Sequence, residues 1–364
     1  MSLLDEIALT FIPGVGDVTA RTLLHHFGSA EEIFRSKKNL LKAVPGIGEK
    51  IADGIVKKDY MKRAEEELCF VEKYRINVLS YTSDNYPERL KNCCDAPILL
   101  YYKGKADLNS TRIISIVGTR KATSYGRELT QRLIEDLRQH QVIVVSGLAY
   151  GIDGIAHKAC IKEEIPTVGV IGHGLDRIYP AQHRAIAESM LDKGGLLTEF
   201  PSGTKPDREN FPRRNRIVAG IADATVIVEA SIKGGALITA ELANSYNRDV
   251  FAYPGDVSKE YSAGCNHLIK TNRANLITGV KDIEYLLGWT REENKSTSVQ
   301  VSLKLDLSAD EQKVADLLTE NGTLSVDALA IQTGMPVSKL AIVILGLEMQ
   351  GIVTGLPGKI YRMA

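Results

Sequence analysis

The residues best suited to chemistry in this 364-residue chain crowd into one short segment, TKPDRENFPRRNR at 204–216. Lys205, Arg208, Arg213, Arg214 and Arg216 stand against Asp207 and Glu209, five cations to two carboxylates and a local charge of +3. Phe211 lies among them. Cations that follow a phosphate backbone, with a ring on which a base can stack, suit single-stranded nucleic acid, and each stacked base is worth roughly 1–3 kcal/mol. The bland alternative is a solvated loop around one buried phenylalanine.

Further candidate groups recur where apolar runs end. Val117-Gly118-Thr119-Arg120 offers a glycine for close approach of a ligand to the backbone, a hydroxyl, and a guanidinium fork for phosphate. A helix starting near Ser124 would add N-terminal donors. Ser146-Gly147-Leu148-Ala149-Tyr150-Gly151-Ile152-Asp153 makes a phosphate-friendly turn, with Asp153 as a cap for the next helix and His157 read as packing. Gly172-His173-Gly174-Leu175-Asp176 supplies two glycines and a carboxylate that either orients Arg120 or another rim base, or simply makes a turn. Glu229-Ala230 followed by Gly234-Gly235 could form an anion nest, and Lys270 closes the series. No G-x-x-x-x-G-K-[ST] loop occurs, no G-x-G-x-x-G follows the first strand, and no nucleophile–base or paired-carboxylate arrangement stands out. Cys93 and Cys94 are adjacent with no nearby histidine. The expectation is binding without a catalytic residue, cofactor or metal.

These groups need a frame. Strands are expected at 112–118, 142–146, 167–171, 196–199, 224–229, 250–253 and 275–278, with helical patterns between most of them. Continuous apolar strands alternating with helices predict an α/β fold, a Rossmann-like doubly wound, mostly parallel sheet over 80–290. Such sheets bind ligands beyond the C-terminal strand ends, where the motifs above fall. Residues 1–75 are helical and repeat Ile12-Pro13-Gly14-Val15-Gly16 as Val44-Pro45-Gly46-Ile47-Gly48. That repeat predicts an all-α helix-hairpin-helix (SAM-like) domain, whose free helix N-termini suit DNA phosphate unless the hairpins merely pack. Residues 306–364, after a polar linker at 291–305, read as a winged-helix domain. Its third helix, KLAIVILGLEMQ, is too apolar to be a good DNA reader, which favours protein contact or plain structure.

Composition sets outer bounds. A chain of 364 residues suggests two or three domains at about 100–200 residues each. With 44% hydrophobic and 25% charged residues it reads as a globular protein. No apolar run of about 18 residues appears, so no membrane association is expected, and MSLLDEIALT lacks the pattern of a signal peptide. Five cysteines without paired spacing point to a reducing compartment, hence the cytoplasm. Lysine plus arginine equals aspartate plus glutamate, 45 each, so any attraction for nucleic acid must be local.

Taken together, Val117-Gly118-Thr119-Arg120, Ser146 through Asp153, Gly174-Leu175-Asp176 with Tyr179-Pro180, and Phe211-Pro212-x-Arg214-Asn215-Arg216-Ile217 closely resemble the DprA/Smf family of DNA-processing proteins, over about 80–288. The resemblance implies a homodimer that binds and protects single-stranded DNA in a basic pocket on the core. It also implies loading of the RecA recombinase during natural transformation or recombination. DNA contacts would fall on Arg120, Arg208 and Phe211, with Arg214, Asn215 and Arg216 completing or supporting the pocket. Gly118, Thr119, Gly147, Gly174, Lys205 and Lys270 would be further contacts, and Asp153, Asp176 and Gly235 would shape the rim. Three departures stand out. Thr119 and Gly234 stand where the family often has serine, and Lys270-Thr271-Asn272-Arg273-Ala274 is one residue longer than the family pattern and lacks its glycine. The competing readings are a nucleotide-processing enzyme, with Glu229 or Asp176 as base on the same rim, and a protein-interaction scaffold.

Overall fold

The structure is a computed structural model that describes residues 2–58, 60–289, 307–356 and 360–363. The linker expected at 291–305 lies outside the described residues. The chain divides into two compact units, Met1–Arg291 and Glu292–Ala364.

In the first unit nine strands form one sheet: β1 (Asn77–Ser80), β2 (Leu99–Gly104), β3 (Ile113–Val117), β4 (Ile143–Ser146), β5 (Thr167–Val170), β6 (Gly195–Thr198), β7 (Ala224–Ile227), β8 (Asp249–Ala252) and β9 (Asn275–Leu276). Their order is β1-β2-β6-β5-β4-β3-β7-β8-β9. The pairings β1–β2 and β2–β6 are antiparallel and the others parallel. The seven expected strands are β3 through β9.

Alternation within strands explains the layers. Ile114 and Ile116 point to one face, against Leu133, Ile134 and Ile152 of helices Ser124–Leu137 and Ile152–Lys162. Ile113 and Val117 point to the other, against Ile217 and Val218 of helix Asn210–Gly220 and Ala240 of helix Gly235–Ser245. Both faces are covered, as a parallel sheet requires. From β3 the chain builds outward through β4 and β5 to β6, then returns to place β7 on the opposite side of β3. The topological switch point therefore lies beyond the ends of β3 and β7, where open α/β sheets take ligands.

Strands β1 and β2 extend the sheet beyond the expected core and join it to the helical segment. Ile98 and Leu99 pack with Ile7, Leu9, Leu41 and Ile55, so residues 1–75 share a core with the sheet edge. The two hairpins form as the repeat predicts: Gly14 and Gly46 take φ of 86° and 84°, left-handed turns that glycine enters without steric cost. Helices Asp17–Phe27 and Glu49–Lys57 start directly after Gly16 and Gly48. Each begins with its own carboxylate, which satisfies the positive end of the helix dipole from within the protein. Asp17 accepts from Ile98 N at 3.1 Å and from Arg216 Nη2 at 3.0 Å, so the first hairpin packs on the core. Glu49 pairs with Lys38 at 3.0 Å.

The second unit is the expected winged helix. Helix Ala309–Asn321 opens with a reciprocal Ser308–Glu311 capping box, followed by helices Val326–Thr333 and Val337–Met349. Its sheet runs in the order β10 (Thr323–Ser325), β12 (Ile360–Met363), β11 (Val353–Leu356). On the third helix Ile342, Leu345 and Met349 are exposed, while Lys339 is paired with Asp310 at 2.5 Å.

Candidate nucleic-acid interface

At the end of β3 the chain turns sharply. Thr119 N donates to Glu229 O at 2.7 Å, tying β3 to β7, and Thr119 Oγ1 accepts from Lys121 N at 3.1 Å. This hydroxyl-closed turn sends Arg120 outward, where it is exposed. Its guanidinium carbon lies 5.4 Å from the centroid of the Phe211 ring. Phe211 is half-buried at the start of helix Asn210–Gly220, and Tyr179 lies beside it with ring centroids 6.0 Å apart. Lys205 and Arg208 are exposed on the loop that leads into this helix. Segments 117–120 and 204–211, far apart in sequence, thus converge on one rim carrying a cation over a ring with two more cations on the approach.

Of the remaining arginines of 204–216, Arg214 and Arg216 face inward and Arg213 stays exposed. Arg214 is buried, and its Nη1 donates to Val170 O at 2.8 Å. Burial pushes its pKa down to about 10, with nearby Asp153 opposing the shift. Arg216 is buried between Glu199 at 2.6 Å and Asp17 at 3.0 Å. Burial works against its charge, yet Glu199 and Asp17 hold its pKa above the ordinary arginine value. Arg213 pairs with Glu199 at 3.1 Å, and Asn215 is half-buried on the same helix. The segment therefore divides into a buried pair, Arg214 and Arg216, and an exposed set in which Lys205, Arg208 and Arg213 stand with Asp207 and Glu209. Glu199, the counter-ion for two of these arginines, carried no sequence signal beyond its place after β6.

Several rim groups have roles other than those expected. Glu229 accepts from Thr123 Oγ1 at 2.5 Å and Thr123 N at 3.0 Å. Its carboxylate thereby sits at the N-terminus of helix Ser124–Leu137, where Thr123 Oγ1 also accepts from Gly126 N at 3.2 Å. Asp153 does not cap its helix from outside. It lies within helix Ile152–Lys162 and accepts from Gly147 N at 3.2 Å and Ala149 N at 3.4 Å, pinning the turn after β4, and burial raises its pKa. Asp176 does not orient Arg120. It pairs with Arg177 at 2.7 Å and accepts from Gly203 N at 3.0 Å.

Three of the expected rim glycines are closely packed by the protein itself. A Cβ on Gly118 would lie 2.5 Å from Ile152 Cγ1, one on Gly147 would lie within the Arg214 guanidinium, and one on Gly174 would meet Asp176 Oδ1 at 2.5 Å. Gly235 has open space around its Cβ position, and it is Gly234 that crowds Ser231 O. Lys270 ends helix Glu260–Lys270, which starts beside the rim through Gly264 N to Ala230 O at 2.8 Å and runs away from it. The structure therefore does not bring Lys270 to the Arg120–Phe211 site. Asn272, in the stretch that lacks the family glycine, takes φ of 55°, a conformation asparagine tolerates better than most residues. Tyr179, a site neighbour not expected among the contact residues, is marked in the sequence only as the aromatic preceding Pro180.

A tandem of hairpins, a doubly wound sheet with a basic, aromatic rim at its switch point, and a winged helix define a class of nucleic-acid-associated architecture. The profile of the DNA recombination-mediator protein A family matches residues 77–288. Those of a SAM-like helix-hairpin-helix tandem and a DprA winged helix domain match 6–58 and 302–359. The chain is 31% identical to Protein Smf of Synechocystis over 98% of its own length and 97% of that protein's, and 34% identical to Protein Smf of Escherichia coli over 83% and 81%. It superposes on DNA processing protein A of Streptococcus pneumoniae with a TM-score of 0.67 at 29% identity, over 78% of this chain and 98% of that one. It also matches DNA processing protein A of Helicobacter pylori, a structure concerned with that protein's single-stranded DNA binding mode, with a TM-score of 0.53 at 26% identity, over 59% and 98%. The chain belongs to the DprA/Smf family of DNA-processing proteins.

Proposed function

We propose that this chain binds single-stranded DNA across the rim at β3 and β7. In this reading Arg120 and Arg208 hold backbone phosphates, Phe211 stacks a base, and Lys205 adds charge on the approach. The observation that carries the reading is the Arg120 guanidinium 5.4 Å from the centroid of a half-buried ring, with Lys205 and Arg208 exposed on the loop that leads to it. Arg214, Arg216 and Asn215 position the loop beneath the strand. The enzyme alternative has less support, because Glu229 and Asp176, its candidate bases, are engaged with Thr123 and with Arg177 and Gly203. The Helicobacter pylori relative adds weight, since that protein binds single-stranded DNA.

The bound strand is handed to a RecA recombinase, in natural transformation or in recombination, and the chain acts as a homodimer in the cytoplasm. For the dimer face the exposed apolar residues Leu276, Tyr285 and Leu286 at the far edge of the sheet are the proposed contact. Among the described residues no single helix is long and apolar enough to cross a membrane. Fluorescence anisotropy with labelled single- and double-stranded oligonucleotides at two salt concentrations tests the binding. Salt-sensitive preference for single strands supports it, because each phosphate contact releases counterions; release of base or phosphate from nucleoside monophosphates overturns it. RecA loading is tested by filament growth on DNA already covered by this protein. Faster growth supports the reading and unchanged or blocked growth contradicts it.

A further inference from the structure

A second cleft, of about 370 Å³, opens on the other side of Arg120. Arg120 and Lys121 border it from the β3 turn, Arg127 from the first turn of helix Ser124–Leu137, and Lys158 from helix Ile152–Lys162. Tyr150, His183, Ala122, Gly151, Gly154 and Ile155 complete the lining, which contains no carboxylate. The four cations come from one turn and two helices, and among the described residues none of them is in an ion pair. A solvated helix face would interleave its charges. The adjoining cleft, which shares Arg127 and Lys158, does so: its Lys162 pairs with Glu163 at 3.2 Å and Glu135 at 3.7 Å. In a chain with as many acidic as basic residues, four unpaired cations around one concavity make a focused positive potential.

The floor is built to hold this shape. His183 Nδ1 is 3.0 Å from Leu148 O, and its ring lies edge-on to Tyr150 at 5.4 Å. Tyr150 in turn donates to Gln182 Oε1 at 2.6 Å. A Cβ on Gly151 would meet Thr119 O, so the helix and the β3 turn touch without an intervening side chain. The result is a shallow, cation-rimmed site at the small end of the roughly 300–1,000 Å³ typical of ligand pockets. It suits a charged backbone better than a base.

We propose that this cleft is a second phosphodiester subsite. Resting on the single-stranded DNA reading above, it takes the backbone phosphates of nucleotides adjoining the one stacked on Phe211, so that the strand bends over Arg120 and continues between Arg127 and Lys158. The same cations would suit free pyrophosphate, and the test separates the two sources. Oligothymidylates of stepped length, and pyrophosphate as competitor, are titrated against the full chain and an Arg127→Ala/Lys158→Ala variant. Both residues are exposed, and retained thermal unfolding shows that the variant folds. The expected result is an affinity about ten-fold lower for long oligomers only, with a salt dependence shallower by about 1.4 for two lost phosphates. The shortest oligomer that binds the wild type should bind the variant equally. Unchanged long-oligomer affinity and slope overturn the subsite alone, as does loss of pyrophosphate binding without loss of long-oligomer affinity. A wild type that binds no single strand overturns the parent reading and the subsite with it.

Discussion

Asp17 Oδ2 accepts from Arg216 Nη2 at 3.0 Å, joining the first helical hairpin to the helix that carries the basic loop. Arg216 also holds Glu199, so one guanidinium ties the hairpin, β6 and helix Asn210–Gly220 together. The consequence is a division of labour: Arg216 fixes the loop while Arg208 and Lys205 remain exposed. Asp17→Ala leaves Glu199 to balance Arg216, so the expected loss of stability is about 1–3 kcal/mol. Single-strand affinity should stay within about two-fold, as expected for well-separated sites. Denaturant unfolding and anisotropy on the same preparation check both.

Arg214 under Gly147 gives a sharper steric case. A methyl group there would lie 1.8 Å from Arg214 Nη1, displacing a buried cation from Val170 O. Gly147→Ala should destabilise by about 3 kcal/mol or more. If the clash is the cause, Arg214→Ala combined with Gly147→Ala should cost clearly less than the two single changes added together, which a double-mutant cycle measures.

Phe211 is half-buried beside Arg120 and Tyr179 and packs over the backbone of Gly172. Phe211→Ala should weaken single-strand binding by about 1–3 kcal/mol, and Phe211→Trp should preserve it. Loss of affinity in both variants would assign the ring a packing role instead.

His157 sets a pH dependence. It is fully buried with Nδ1 2.7 Å from Thr167 Oγ1, and burial pushes its pKa from 6.5 down to about 3. The folded chain keeps this ring neutral while the unfolded chain protonates it below 6.5. Stability is therefore full above that pH and falls on acidification toward about 3, with a slope of up to about 1.4 kcal/mol per pH unit from this group. In His157→Gln that part of the slope should vanish, as read from unfolding midpoints across the acid range.

The legible features were those written in local pattern. The runs IISIV and IVVS announced buried parallel strands, and the Gly14 and Gly46 repeat announced two hairpins. Strands β1 and β2 escaped because Asn77–Ser80 is short and its antiparallel pairing with Tyr101 and Tyr102 is set by tertiary contact. At the site, Arg120 and Phe211 were visible as residue types, but their pairing across 91 positions was not. That Arg214 and Arg216 face inward depends on Val170 O for the first and on Glu199 and Asp17 for the second, partners with no local mark in the sequence. That Gly118, Gly147 and Gly174 are crowded by Ile152, Arg214 and Asp176 was not legible, because a glycine signals close approach without saying to what.

The central claim is that Arg120 and Arg208 hold the strand. Anisotropy of labelled single- and double-stranded oligonucleotides with wild type and the Arg120→Ala/Arg208→Ala variant, at two salt concentrations, tests it most directly. The account predicts tight, salt-dependent, single-strand-preferring binding in the wild type that is lost in the variant, whose salt slope flattens by about 1.4 if each residue holds one phosphate. Undiminished binding in the variant would contradict it and move the DNA site to the helical hairpins.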